Sequence, residues 1–108
     1  MHSSNDALWR LADAISINTN CIKRSVGCVI IDKTTDLVVS TGFNFHENGV
    51  CDCYVGSTAV HAEINALANI EHKYPKRNLI ALVTRRPCKS CHNALMKQVS
   101  EVRYTHES

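Results

Sequence analysis

The chain has no dominant charge. Twelve Lys and Arg against ten Asp and Glu leave a net charge of +2 over 108 residues. A protein that depends on nucleic acid carries a basic stripe or a strongly basic balance. Here Lys23-Arg24, Lys76-Arg77 and Arg85-Arg86 are isolated pairs, the pattern of solvated surface. No apolar run approaches a membrane span, and residues 1–6 are polar, without the apolar stretch of a secretory leader. The expectation is therefore a cytoplasmic protein with no stable nucleic-acid partner and no membrane. In a reducing compartment, the six cysteines read as metal ligands, catalytic groups or small core residues, not as a disulfide scaffold. Repeats, low-complexity tracts and linkers are also missing, and only two prolines interrupt the chain. This length holds one modest core, so a single domain over residues 1–108 is expected.

What is present reads as alternating helices and strands. Leu8, Leu11, Ala12 and Ile15 recur at helical spacing over about 6–18, with Ser3, Ser4 or Asn5 as candidate caps. Residues 26–32 (VGCVIID) and 37–43 (LVVSTGF) are β-branched runs separated by a turn at 33–36, which predicts a hairpin. Residues 44–58 read as a long polar loop, a kind often functional in compact domains. A helix is expected from near Val60, with Ile64, Leu67, Ala68 and Glu71 on one face. Residues 78–84 (NLIALVT) predict a buried strand, Pro87 opens a helix running to about Val99, and 101–104 form a last strand. The order predicts an α/β fold, a three-layer sandwich with a mixed sheet flanked by helices. Cys21 and Cys28 read as small core residues, and Trp9 as packing at the edge of the first helix.

Two segments carry chemistry: His61-Ala62-Glu63, and Pro87-Cys88-Lys89-Ser90-Cys91. One imidazole and two thiolates can hold Zn²⁺ in three positions and leave the fourth for water, the arrangement of catalytic sites. Purely structural sites are closed by four protein ligands, so a structural reading needs a recruit such as Cys51 or Cys53. Both segments fall at predicted helix N-termini, whose positive ends favour thiolates. Zinc lowers the pKa of water towards about 7, generating hydroxide at neutral pH. Glu63 is not needed as a ligand and is free to move protons, giving one from water to the substrate and later protonating the leaving group.

The H-x-E…P-C-x-x-C pattern is the signature of zinc nucleobase deaminases, and the chain resembles the cytidine and deoxycytidylate deaminase superfamily. Its details resemble the deoxycytidylate (dCMP) branch. His61-Ala62-Glu63-Ile64-Asn65-Ala66-Leu67 is similar to the HAExNA helix. Arg24-Ser25-Val26-Gly27-Cys28-Val29-Ile30 resembles the VGAVI strand, and Thr41-Gly42-Phe43-Asn44 the TGYN strand end. Gly49-Val50-Cys51-Asp52-Cys53 is similar to a Gly/Cys/Asp stretch in the same loop. The resemblance implies hydrolytic deamination of dCMP to dUMP, supplying thymidylate synthesis. His61, Cys88 and Cys91 would bind zinc and Glu63 would shuttle protons. Asn44 would contact the sugar or base, and the Ala62 backbone the pyrimidine carbonyl. A monophosphate needs cationic or N–H donors, for which Lys23, Arg24, Arg85 and Arg86 are the candidates. His46, Cys51 and Cys53 are a candidate second, structural zinc site, against a plainer reading as free loop thiols. Phe45 stands where the family usually has glycine, which puts dCTP and dTTP regulation in question. With no further strand or helix after Tyr104, a neighbouring subunit is expected to help close the pocket, in a homo-oligomer that the resemblance makes a hexamer. Competing readings are a deaminase of cytidine or of tRNA adenosine, and an inactive zinc or nucleotide-binding module.

Overall fold

The computed structural model of the chain describes residues 2–19, 24–46, 59–71 and 73–105, the side chains of 2–5 and 59 excepted. Its frame is a four-stranded sheet in the order β2-β1-β5-β6, formed by β1 (Gly27–Asp32), β2 (Leu37–Phe43), β5 (Leu79–Val83) and β6 (Glu101–Tyr104). β1 pairs antiparallel with β2 and β5, whereas β5 and β6 run parallel, so the sheet is mixed. Parallel pairing needs a crossover, and α3 (Lys89–Met96) supplies it between β5 and β6. The fold is the expected α/β arrangement.

Strand periodicity sorts the core into two faces. Cys28 and Ile30 of β1 and Leu79, Ala81 and Val83 of β5 pack with Ala62 and Ala66 of α2 (Ala62–Ala68) and with Leu95 and Val99. The alternate residues, Val29, Ile31, Ile80 and Leu82, pack with Leu8 and Ala12 of α1 (His2–Ser16), with Trp9 and Leu11 at the margin. All five residues of β5 are buried, because helices cover the sheet on both sides. Cys28 is fully buried, as expected of a small core residue.

The β1–β2 turn is built on Asp32. Its Oδ1 accepts the Thr34 N–H at 2.9 Å and the Thr34 hydroxyl at 2.6 Å, a local turn device of short acidic side chains. Asp36 closes it with φ 59°, the left-handed region that Asp tolerates better than most residues.

Several elements depart from expectation. Helix α1 begins at His2, so Ser3, Ser4 and Asn5 lie in its first turn instead of preceding it. The loop expected over 44–58 has paired ends: β3 (Phe45–His46) runs antiparallel to β4 (Ala59–Val60). Helix α2 therefore starts after Val60, and its buried residues are Ala62, Glu63 and Ala66, while Ile64 and Ala68 are exposed. The small residues win this face because α2 lies directly on the sheet backbone. A Cβ on Gly42 would collide with the backbone N of Ala66 and the backbone O of Ala62. Pro87 is not the first residue of α3. Cys88 is its N-cap, with its carbonyl accepting the His92 N–H at 2.8 Å, and Pro87 is buried ahead of it.

Candidate active site

Helices α2 and α3 lie on the same face of the sheet, and each begins with a metal-binding residue type at its N-cap. His61 caps α2 (φ −76°, ψ 150°) and Cys88 caps α3 (φ −67°, ψ 165°), both extended and neither using its side chain to cap its own helix. Cys91 stands at the third position of α3. Side chains at the N-cap and third positions converge at a helix start, the geometry used in capping boxes, which is why C-x-x-C can present two sulfurs to one point. His61 Nδ1 lies 3.1 Å from Cys91 Sγ and 3.9 Å from Cys88 Sγ. The donor atoms of His61, Cys88 and Cys91 all lie within 4.8 Å of one another, and among the described residues this is a group that could hold a metal ion.

The donor set fits zinc. Bonds of about 2.0–2.1 Å to nitrogen and about 2.3 Å to sulfur in a tetrahedron put donors roughly 3.5–3.8 Å apart. The two Nδ1–Sγ distances bracket that spacing. Nδ1 is the ring nitrogen that faces the sulfurs, so it is the atom that would ligate.

Glu63, at the second position of α2, is buried beside this triangle, only 4 % exposed. Burial pushes its carboxyl above the usual carboxylate range, against smaller opposing effects from its own backbone N–H, the His61 charge and a hydrogen bond with the Cys91 thiol. Burial, followed by the Glu63 charge, raises the Cys91 thiol. Such a thiol gives up its proton when a divalent cation binds.

The other candidates fall at varied distances from this chemistry. Ala62 is the first residue of α2, so its N–H is one of the donors without an intrahelical acceptor. Asn44 follows β2, and its side chain holds the approach to β1: Oδ1 accepts the Val26 N–H at 2.8 Å and Nδ2 donates to the Arg24 carbonyl at 3.1 Å. Arg24 and Arg86 are exposed and Arg85 half-buried. His46 is buried at 3 %. Lys23, Cys51 and Cys53 lie outside the described residues.

Sequence reasoning missed a set of groups that hold α2 against β2. Asn65 Oδ1 accepts the Phe43 N–H at 3.1 Å, Asn69 Nδ2 donates to the Thr41 carbonyl at 2.9 Å, and the Ser40 hydroxyl donates to the Ala66 carbonyl at 2.8 Å. Two asparagines four residues apart share one helix face, and that spacing was the available signal.

Residues 2–105 match the model of the cytidine and deoxycytidylate deaminase zinc-binding region. The deoxycytidylate deaminase of Saccharomyces cerevisiae is 28 % identical over 112 aligned positions, 89 % of this chain and 35 % of the yeast protein. The chain thus spans about a third of that relative. The dCMP deaminase of cyanophage S-TIM5 has the same fold: its apo structure superposes with a TM-score of 0.80 at 24 % identity, covering 95 % of this chain and 82 % of the phage chain. A second structure of the phage enzyme, in complex with dCMP and dUMP, gives a TM-score of 0.78 at 21 % identity, covering 96 % of this chain and 82 % of the other. RibD of Acinetobacter baumannii, form 2, shares the fold with a TM-score of 0.69 and 24 % identity, over 96 % of this chain but 28 % of its own. With its helices, sheet and His/Cys/Cys triangle all inside the matched region, the chain belongs to the cytidine and deoxycytidylate deaminase zinc-binding family.

Proposed function

We propose that the chain hydrolyses dCMP to dUMP and ammonia, a source of dUMP for thymidylate synthesis. The observation that carries this reading is the placement of a buried carboxylate, Glu63, against an open three-donor triangle at the starts of two adjacent helices. The dCMP reading draws on the yeast relative and on the phage structure holding dCMP and dUMP.

His61 Nδ1, Cys88 Sγ and Cys91 Sγ would hold the zinc. When bound, zinc supplies a Lewis acid that makes water nucleophilic at neutral pH. The chain's own part is positioning and proton transfer. Glu63 takes one proton of the attacking water and passes it to ring N3 as C4 becomes tetrahedral. It then takes the proton of the new C4 hydroxyl and delivers it to the amino group, so that the C–N bond breaks, ammonia leaves and the C4 carbonyl of dUMP forms. A carboxyl raised by burial suits both directions of transfer, since its two forms lie closer in energy at neutral pH. The free N–H of Ala62 is a donor for the pyrimidine carbonyl, while Asn44, Arg24 and Arg86 are the candidates for the sugar and phosphate.

The test is ammonia release from dCMP, dCTP, cytidine and a tRNA anticodon stem by purified protein of known zinc content. Turnover of dCMP with one zinc per chain is expected. Turnover of cytidine alone would overturn the substrate, and no turnover of any of the four by zinc-loaded protein would overturn the activity.

A further inference from the structure

Asn65 is the residue at which the metal-binding turn and the end of β2 are joined. Its backbone N–H donates to the His61 carbonyl at 2.9 Å, closing the first turn of α2 behind the candidate metal ligand. Its side-chain Oδ1 accepts the Phe43 N–H at 3.1 Å. In an antiparallel ladder successive residues point their N–H and C=O groups alternately towards and away from the partner strand. Asn44 points inward, its N–H donating to the Val26 carbonyl at 3.3 Å. Phe43 and Thr41 therefore point outward, along the edge of the sheet, since β2 is its last strand. Asn65 and Asn69 take up those outward groups, the Phe43 N–H and the Thr41 carbonyl, and so stand where a neighbouring strand would.

The connection continues past Phe43. Asn44 binds Val26 through both its backbone N–H and its Oδ1, and binds the Arg24 carbonyl through Nδ2. One line of hydrogen bonds thus runs from the His61 turn through Asn65, Phe43 and Asn44 to residues 24–26. Its far end carries Asn44 and Arg24, the candidates named above for holding the nucleotide. We infer that Asn65 is a positioning residue that sets the distance between the metal triangle and the part of the site that holds the nucleotide. The inference rests on the function proposed above for its catalytic consequence, but its structural part stands on the hydrogen bonds alone. Asn69 and Ser40 bind further along the same two elements, so removing the Asn65 amide loosens the strand end while α2 stays docked.

Two measurements on Asn65→Ala and Asn65→Asp test it. The first is amide hydrogen exchange at Phe43 and Val26. Asn65→Ala is expected to speed exchange at both amides by about tenfold or more, and Asn65→Asp, which keeps an acceptor for the Phe43 N–H, to restore most of the protection. Faster exchange at Phe43 with Val26 unchanged would overturn the inference, because nothing would be transmitted through Asn44. The second is steady-state kinetics with dCMP on cobalt-substituted protein. Asn65→Ala is expected to raise KM about tenfold, the worth of one hydrogen bond, with kcat nearly unchanged, and to leave the cobalt absorption spectrum as in the parent. An unchanged KM, or a fall in kcat with an altered spectrum, would overturn it by making Asn65 only a support of the metal helix. If the parent protein fails to turn over dCMP, the proposed function falls and the exchange data judge Asn65 without it.

Discussion

Glu63 is the residue on which the proposed chemistry turns, and its surroundings explain why it can act twice. A solvent-exposed carboxylate would hold no proton at neutral pH and could only act as a base. Burial raises this one towards the range in which a carboxyl can also give a proton back, against smaller opposing effects from its own backbone N–H, the His61 charge and the Cys91 hydrogen bond. Glu63→Gln preserves the volume and removes the proton transfer. It is expected to retain one zinc per chain and the parent's thermal midpoint, and to lose roughly 10²- to 10⁴-fold in kcat. Metal analysis beside a dCMP assay reads this out. A variant that keeps full turnover would remove Glu63 from the reaction, and one that loses its zinc would make Glu63 part of the metal site instead.

At the scale of elements, the sheet was legible and the site helix only half so. β1, β2, β5 and β6 fall within a residue of their expected bounds, because short β-branched or continuously apolar runs bounded by turn residues mark strands. Helix α2 has no comparable stripe. Ile64 and Ala68 look like its inner face and are exposed, since the face that packs is made of Ala62 and Ala66, chosen for closeness to Gly42. β3 and β4 are two residues each, too short for any periodicity. The metal triangle was readable because N-cap spacing in the helix fixes it. The asparagine connections showed only as the four-residue spacing of Asn65 and Asn69, because the edge strand that they answer is placed by the fold. This closeness gives a test at its own scale. In Gly42→Ala the new Cβ meets helix backbone, which cannot move aside like a flexible side chain, so α2 must lift and carry His61 with it. A loss of about 2–3 kcal/mol in stability is expected, together with weaker zinc binding. Gly27, on the face under α1, is the control. Its Cβ would strike the backbone O of Ala12, so Gly27→Ala should lose comparable stability while the folded protein keeps its zinc affinity. Equal zinc binding by the two variants would separate the metal site from the α2–β2 contact.

For the molecule as a whole, the metal triangle is a tie between helices. α2 and α3 are separated in sequence by β5 and the turns around it, and they share the face built from Ala62, Ala66, Leu95 and Val99. A bound ion held by His61 on one helix and Cys88 and Cys91 on the other adds a link that exists only when both are docked. The unfolded chain offers the same ligands without their arrangement, so binding favours the folded state by mass action. With free zinc at a hundredfold over its dissociation constant the gain is about 2.7 kcal/mol. A domain near this size shifts its thermal midpoint by roughly 4–8 °C per kcal/mol. Chelation is therefore expected to lower the midpoint by about 10–20 °C, and restoring zinc to bring it back. Calorimetry on zinc-loaded, stripped and reloaded protein makes the measurement, with metal content followed in each sample. The Glu63→Gln protein should show the same drop, since it keeps all three donors. A midpoint that stays put when the zinc is gone would mean that folded and unfolded chains bind it equally, and the triangle would not be a tie between the two helices.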